Sequence, residues 1–314
     1  MRHFTSLDQV NLQKTWLTIG SFDGVHLGHQ EIIRNLVTRA HAVNANAVVL
    51  TFHPHPAIVL KKRDDPFYLT TPQEKAQLLG DLEVDVVITQ AFDHELANTT
   101  AFDFIAKLKS QLDLEHLLVG PDFALGRDRK GDISRLSELG EEFGFAMDVF
   151  QTVKIDDQVV SSSKIRNALK NGDVLLATRL LGRPYRISGT VIRGDGRGKT
   201  IGIPTANLEV WSDRVLPKSG VYACQAILRN QLLGAVTNVG FRPTFVNQPS
   251  SPTVETHLLD FEGDIYGEKI SLDFVFRLRD EVRFPSVQAL VQQIQQDITR
   301  SREAHASKIT NHQQ

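Results

Sequence analysis

His26 and His29 stand three residues apart in the run Gly20-Ser21-Phe22-Asp23-Gly24-Val25-His26-Leu27-Gly28-His29, directly after the apolar stretch Trp16-Leu17-Thr18-Ile19. A strand that stops at glycine and turns into a helix presents backbone N–H groups and the positive end of a helix dipole, which together make a phosphate site. A spacing of three puts both imidazoles on one face of the first helical turn, where two rings can grip one polyphosphate. Gly28 between them lets a ligand approach closely. Ile32, Ile33, Leu36 and Val37 follow with helical period, so the run reads as the turn of a βα unit. Two surface histidines on an ordinary helix are the bland alternative, and the flanking strand, Phe-Asp-Gly and amphipathic helix argue against it.

This decapeptide resembles the GxFDGxHxGH signature of the adenylyltransferase half of bacterial bifunctional riboflavin kinase/FAD synthetases. The resemblance implies catalytic roles for His26 and His29 and phosphate contacts at Gly20, Phe22, Gly24 and Gly28. Ser161-Ser162-Ser163-Lys164-Ile165-Arg166 is similar to the SSTxIR motif of the same family, with Ser163 where the family usually has Thr. It implies that Ser162 and Ser163 offer hydroxyls at a helix amino end and that Arg166, one turn in, adds a catalytic cation. Alone, the run reads equally as a serine cap on a basic surface helix. Asp122 occupies the position of a family residue that contacts substrate and is the candidate flavin contact. Leu125, in Phe123-Ala124-Leu125-Gly126, replaces the family's usual aromatic. Asp23 is read as a support for the histidine turn. His53 and His55, fixed by Pro54 and Pro56, are read as shaping a strand end, with no third ligand nearby that would suggest zinc.

A second glycine-rich run, Gly194-Asp195-Gly196-Arg197-Gly198-Lys199-Thr200, invites a Walker reading. GxxxxGK[ST] needs glycine five positions before Gly198, however, and Arg193 stands there, while Pro204 breaks the helix that a P-loop should open. What remains is a basic flap leading into Pro204-Thr205-Ala206-Asn207, which resembles the riboflavin kinase pattern of a glycine-rich loop followed by PTAN. Leu216–Tyr222, Asn238–Phe245, Val254–Phe261 and Asp264–Gly267 resemble the same kinase in the same order. By this resemblance Glu255 is the catalytic base, and Thr205 and Asn207 hold Mg²⁺. Gly196, Arg197, Gly198 and Lys199 cover the ATP phosphates, and Arg242 is a further flavin-side candidate. Thr205 and Asn207 are neutral oxygen donors, so the nucleotide phosphates must supply most of the metal's coordination.

The implied chemistry is two phosphate transfers. ATP phosphorylates riboflavin to FMN, and a second ATP adenylylates FMN to FAD with release of pyrophosphate, so the expected partners are riboflavin, FMN, FAD and ATP. Another nucleotidylyltransferase would not need the PTAN half. A regulator that had lost catalysis would show decay at Glu255, Thr205, Asn207, His26 or His29, and all five are present.

Two kinds of pattern must position these residues. Up to about residue 150, short apolar runs (Trp16–Ile19, Ala47–Phe52, Val86–Thr89, Leu117–Gly120, Ala146–Phe150) alternate with helical segments such as Gln30–Val43 and Phe102–Leu112, which argues a parallel sheet covered by helices. Helices over Ser162–Lys170 and Val174–Leu181 follow, the second capped by Asp173. Beyond Gly182 the period becomes two. Leu272, Phe274, Phe276 and Leu278 alternate with polar or smaller residues, Val221–Leu228 pairs with Leu232–Thr237 across Arg229-Asn230, and a helix over Ser286–Thr299 puts Val287, Leu290, Val291 and Ile294 on one face. The expected architecture is α/β, a Rossmann-like nucleotidylyltransferase domain over residues 1–182 followed by a small antiparallel β-barrel with a C-terminal helix over residues 183–306.

At 314 residues the chain suits two domains, each able to bury its own core. Lys and Arg total 35 against 37 Asp and Glu, a formal net charge of −2, so there is no general attraction for nucleic acid or an anionic membrane and phosphate affinity must be local. The single cysteine, Cys224, cannot form an internal disulfide. With no apolar signal core and no apolar run near the roughly 18 to 20 residues that span a bilayer, a cytoplasmic protein is expected. The sequence leaves a homo-oligomer open.

Overall fold

The computed structural model describes residues 1–61, 66–151, 153–155, 158–194, 196, 198, 201–241 and 252–311. The chain separates into two compact units, Met1–Ser162 and Ser163–Gln314.

Among the described residues, the first unit is built on six parallel strands: β1 (Arg2–Phe4), β2 (Thr15–Ile19), β3 (Asn46–His53), β4 (Val86–Ala91), β5 (Leu114–Val119) and β6 (Ala146–Val149). Their order is β1-β4-β3-β2-β5-β6. Val48, Val49 and Leu50 of β3 are all buried, the unbroken apolar run expected of a strand covered on both faces. Helix α1 (Leu27–Ala42) buries Ile32, Ile33, Leu36, Val37 and Ala40, the face its sequence period marks. It is followed by α2 (Pro56–Lys61), α3 (Pro72–Gly80), α4 (His94–Asn98), α5 (Ala101–Leu112) and α6 (Ile133–Phe143). A short antiparallel pair, β7 (Lys154–Ile155) and β8 (Gln158–Val159), ends the unit. The strand order reverses at β2, whose neighbours are β3 on one side and β5 on the other. Ligands of open α/β sheets bind beyond the strand ends at such a switch point, and the histidine turn leaves β2 there. The Asp122 loop leaves the adjacent β5.

Helix α7 (Ser162–Lys170), whose first residue is the last of the first unit, and α8 (Val174–Leu181) open the second unit, both with the bounds read from the sequence. Helix α8 packs on the barrel strands β9 (Tyr185–Ile192) and β14 (Lys269–Arg279). With β10 (Ala206–Val210), β11 (Gly220–Leu228), β12 (Gln231–Phe241) and β13 (Pro252–Leu258), these close an antiparallel barrel in the order β10-β13-β12-β11-β14-β9. Leu228 pairs with Gln231, so β11 and β12 are joined by the two-residue turn Arg229-Asn230. Both turn residues have positive φ, 50° and 63°, matching the twist of a tight hairpin.

Two expectations give way here. Strict alternation along β14 fails: Phe276 is exposed while Val275 and Asp273 are buried, because the β11–β14 register slips at Val221/Tyr222 and again at Ala223/Cys224. Each slip shifts side chains to the other face. The last helix, α9 (Val287–Asn311), runs longer than expected, and Val287 is exposed. Among its described residues, those it fully buries are Asp297 and Ser301, so a polar anchor holds it to the barrel.

Candidate functional sites

In the first unit the turn after β2 is held in conformations that side chains rarely adopt. Phe22 (φ 45°), Gly24 (φ 81°) and Val25 (φ 40°) all have positive φ, at a cost of order 1–3 kcal/mol for each non-glycine residue. The surroundings over-determine them. Buried Asp23 accepts hydrogen bonds from the backbone N–H of Leu69 (3.0 and 3.1 Å) and of Thr70 (3.2 Å). The Gly24 N–H donates to the Thr70 hydroxyl (3.2 Å), the Gln30 amide to the Val25 carbonyl (2.9 Å), and the Ser162 hydroxyl to the Asp23 carbonyl (2.9 Å). Asp23 therefore supports the turn, as expected.

His26 is the N-cap of α1. Its Nδ1 accepts the His29 backbone N–H (3.3 Å), which leaves its ring proton on Nε2. The two imidazoles stack with centroids 3.5 Å apart, and the edge of Phe22 meets His29 at 5.1 Å. Burial, the neighbouring His26 and the Lys75 ammonium hold the His29 pKa well below the usual histidine value. His29 is thus a neutral hydrogen-bonding group at neutral pH, and its buried Nδ1 has no hydrogen-bond partner among the described residues. A Cβ at Gly28 would stand 3.2 Å from the His26 ring, so the glycine makes room for the folded-back imidazole.

Gly20 and Phe22 lie in the same turn, and a Cβ at Gly20 would meet the Phe22 ring at 3.1 Å. Ser162 reaches the turn through Asp23. Ser163, exposed, and Arg166, half-buried, are carried by α7 in the second unit. Asp122 is exposed after β5, and its carbonyl accepts from Arg129 (2.8 Å). His53 and His55 join an aromatic group: the His53 ring lies 5.5 Å from Tyr68 and the His55 ring 4.8 Å from Phe67. Sequence reasoning missed Thr51, Tyr68 and Lys75. The capping box Thr71/Glu74 that starts α3 was the available signal for Lys75.

In the second unit, Asn207 of β10 stands opposite Glu255 of β13, and Glu255 stands opposite Asn238 of β12. Residues directly opposite in a sheet share a face, so one row carries amide, carboxylate and amide. Glu255 and Asn238 of this row line a cavity of about 310 Å³ together with Gly198, Thr205, His257 and, from α9, Leu290 and Ile294. The His257 Nδ1–H donates to the Pro204 carbonyl (2.8 Å), fixing the strand entry that presents Thr205; the sequence, read without the fold, gives this histidine no role. The glycine-rich segment folds tightly against the row. A Cβ at Gly194 would stand 2.1 Å from the Asn207 amide nitrogen, and one at Gly198 2.3 Å from the Ile203 carbonyl. Gly196 is exposed with φ 70°. Arg197, Lys199 and Arg242 lie outside the described residues.

The row Asn207-Glu255 with Thr205 suits a hard cation arriving with a nucleotide, since neutral oxygens sit beside one carboxylate. Among the described residues, no group of three or more His, Cys, Asp or Glu could hold a metal ion without such help.

Comparison with known proteins matches both halves. A family model described as FAD synthetase matches residues 8–164, and one described as riboflavin kinase matches residues 181–305. The bifunctional riboflavin kinase/FMN adenylyltransferase of Haemophilus influenzae is 39% identical, covering 91% of this chain and 93% of that protein. Its namesake in Bacillus subtilis is 37% identical, covering 90% of each. A crystal structure described as the macrolide-efflux protein of Streptococcus pneumoniae is 30% identical with a TM-score of 0.86, covering 96% of this chain and 98% of that one. Among the described residues here, no helix is long and apolar enough to cross a membrane.

Proposed function

Because the chain belongs to the bifunctional riboflavin kinase/FMN adenylyltransferase family and makes both FMN and FAD, we propose a division of that chemistry between its two site constellations. Residues 1–182 serve adenylyl transfer and residues 183–306 serve phosphoryl transfer, although α7 and α8 fold with the barrel. Both reactions draw on ATP, which supports a cytoplasmic setting.

For phosphoryl transfer, the observation that carries the reading is the Asn207–Glu255–Asn238 row, whose Glu255 and Asn238 line the cavity beside Thr205. Glu255 accepts the proton of the terminal ribityl hydroxyl as the hydroxyl oxygen attacks the γ-phosphorus and the bond to the β–γ bridging oxygen breaks, releasing ADP; a positioned base is worth on the order of 10² to 10⁴ in rate. Thr205 and Asn207 would hold Mg²⁺. When bound, Mg²⁺ neutralises charge on the phosphate oxygens. The backbone of Gly196 and Gly198, with Arg197 and Lys199, covers the phosphates. Arg242 is a flavin-side contact.

For adenylyl transfer, the FMN phosphate attacks the α-phosphorus of ATP and pyrophosphate leaves. The N–H groups of Gly20 and Gly24 are engaged by the Leu50 carbonyl and the Thr70 hydroxyl, so Ser21 and Phe22 between them offer the turn's backbone N–H groups, while His26 and His29 donate hydrogen bonds to the transferring group. Ser162, Ser163 and Arg166 serve the phosphates, and Asp122 the flavin.

Chromatography of flavins from protein incubated with ATP and Mg²⁺ tests the division. Glu255→Gln should abolish FMN formation from riboflavin while FAD still forms from supplied FMN, and His29→Ala should do the reverse. If either variant silences both reactions with its fold intact, the division is wrong. Calorimetry should find two ATP sites per chain at saturating Mg²⁺, and a single site would overturn it.

A further inference from the structure

Among the described residues, Lys75 is the only buried lysine. It sits on α3, whose start is fixed by the Thr71/Glu74 capping box, and its ammonium reaches beneath the histidine turn. There it donates to the Ser21 carbonyl (2.9 Å), the Thr51 hydroxyl (2.8 Å) and the Phe52 carbonyl (3.3 Å). The Thr51 hydroxyl itself donates to the same Ser21 carbonyl (3.0 Å). All three acceptors are neutral oxygens. The nearby carboxylate, Asp23, is bound to the N–H groups of Leu69 and Thr70.

This placement has a geometric consequence. In a trans peptide the C=O and the following N–H point in opposite directions. Holding the Ser21 carbonyl down onto Lys75 therefore aims the Phe22 N–H the other way, away from the ammonium. The electrostatic consequence points the same way: His29 is neutral at neutral pH, partly because of Lys75, so the fixed positive charge behind this turn is the lysine's.

We propose that Lys75 is a positioning residue for adenylyl transfer, the buried cation that orients the phosphate-binding turn and makes it attractive to the anionic FMN and ATP phosphates. The proposal rests on the adenylyl-transfer reading of this unit. Burial brings the Lys75 pKa down to about 8, with Asp23 opposing the shift. The charged and titratable groups around it are Asp23 and His26 in the turn, His29 on α1, and His3 on β1, whose pKa is also lowered by burial and by Lys75. His3 and His29 are already neutral above pH 7, so a loss of function between pH 7.5 and 9 reports the lysine.

The test is the kinetics of FAD formation from supplied FMN and MgATP by the full chain, with riboflavin phosphorylation as the internal control. Lys75→Met should lose about 10²-fold in kcat/KM at pH 7.5 while riboflavin phosphorylation stays within about twofold. Wild-type kcat/KM should fall about tenfold from pH 7.5 to 9, and Lys75→Arg, whose guanidinium stays charged, should hold its value over that range. A Lys75→Met enzyme within about threefold of wild type, or parallel pH profiles for wild type and Lys75→Arg, overturns the role given to Lys75. Wild-type protein that makes no FAD from FMN at any pH overturns the adenylyl-transfer reading itself.

Discussion

Asn207 and Glu255 face each other in register across β10 and β13, so the proposed metal-side amide and the proposed base are neighbours on one sheet face. Neighbours on a barrel wall move little relative to each other, and the amide can orient bound MgATP against the base without a conformational step.

Removing the amide should therefore uncouple metal from base. Asn207→Ala should lower riboflavin phosphorylation by about 10- to 100-fold and raise the Mg²⁺ concentration needed for half-maximal rate, with FAD formation from FMN unchanged. Titrating Mg²⁺ in both assays checks it; an unaltered metal dependence would count against Asn207 as a ligand.

His26 does two things at once, capping α1 and backing the His29 ring. His26→Ala should cost about 1 kcal/mol of stability as a lost cap and also lose FAD formation. His26→Asn restores an oxygen cap without a ring, so urea denaturation should show stability returning while activity does not. Recovery of both would mean that the ring matters only as a cap.

The elements carrying these sites were legible because their signals are local. α1, α7, α8 and the Arg229-Asn230 hairpin announce themselves through period, caps and turn residues within a dozen positions. The histidine pair and the Glu255 motif were visible for the same reason. Lys75 was not, because its meaning lies in contacts to Ser21 and Thr51, residues 54 and 24 positions away. The exposed Phe276 and the positive φ of Val25 were hidden for a related reason: a register slip or a strained turn is imposed by partners distant in sequence. Gly28 was noticed, but the imidazole that fills its space could only be seen folded.

Stability of the first unit should fall with acid. The pKa values of His3, His29 and His116 are lowered from 6.5, each chiefly by burial. As pH drops through 6.5 the unfolded chain takes up protons on these histidines before the folded unit does, so acid favours unfolding. Chemical denaturation followed by Trp16 fluorescence should show a lower midpoint at pH 5.5 than at pH 7.5, and replacing His29 with Gln should flatten the difference. Equal midpoints at the two pH values would contradict the neutral state assigned to these rings.

Asp297 anchors α9 to β14 through Arg279, with Nε 2.9 Å and Nη2 2.8 Å from Oδ2, while Gln293 one turn earlier on the same helix donates to Oδ1 (3.1 Å). The carboxylate is 1% exposed, so Asp297→Ala leaves Arg279 without its carboxylate, held among the described residues only by the Asp280 carbonyl and the Phe284 ring, and should cost about 3 kcal/mol. Adding Arg279→Met removes the orphaned charge and should recover part of that loss. A double variant as unstable as the sum of the two singles would show that the pair acts only through separate packing.

Gly194 offers a test of the kinase side that leaves the fold in place. Its missing side chain accommodates the Asn207 amide, and a Cβ would approach Nδ2 to 2.1 Å. That contact is with the end of a side chain, which can rotate away, so Gly194→Ala should destabilise by no more than about 1 kcal/mol. The displaced amide, however, is the one proposed to hold the metal. Riboflavin phosphorylation should then drop with a raised Mg²⁺ requirement, reproducing Asn207→Ala, and combining the two changes should add little to either alone. Additive losses would mean that Gly194 acts on the phosphates through its own backbone and not through Asn207.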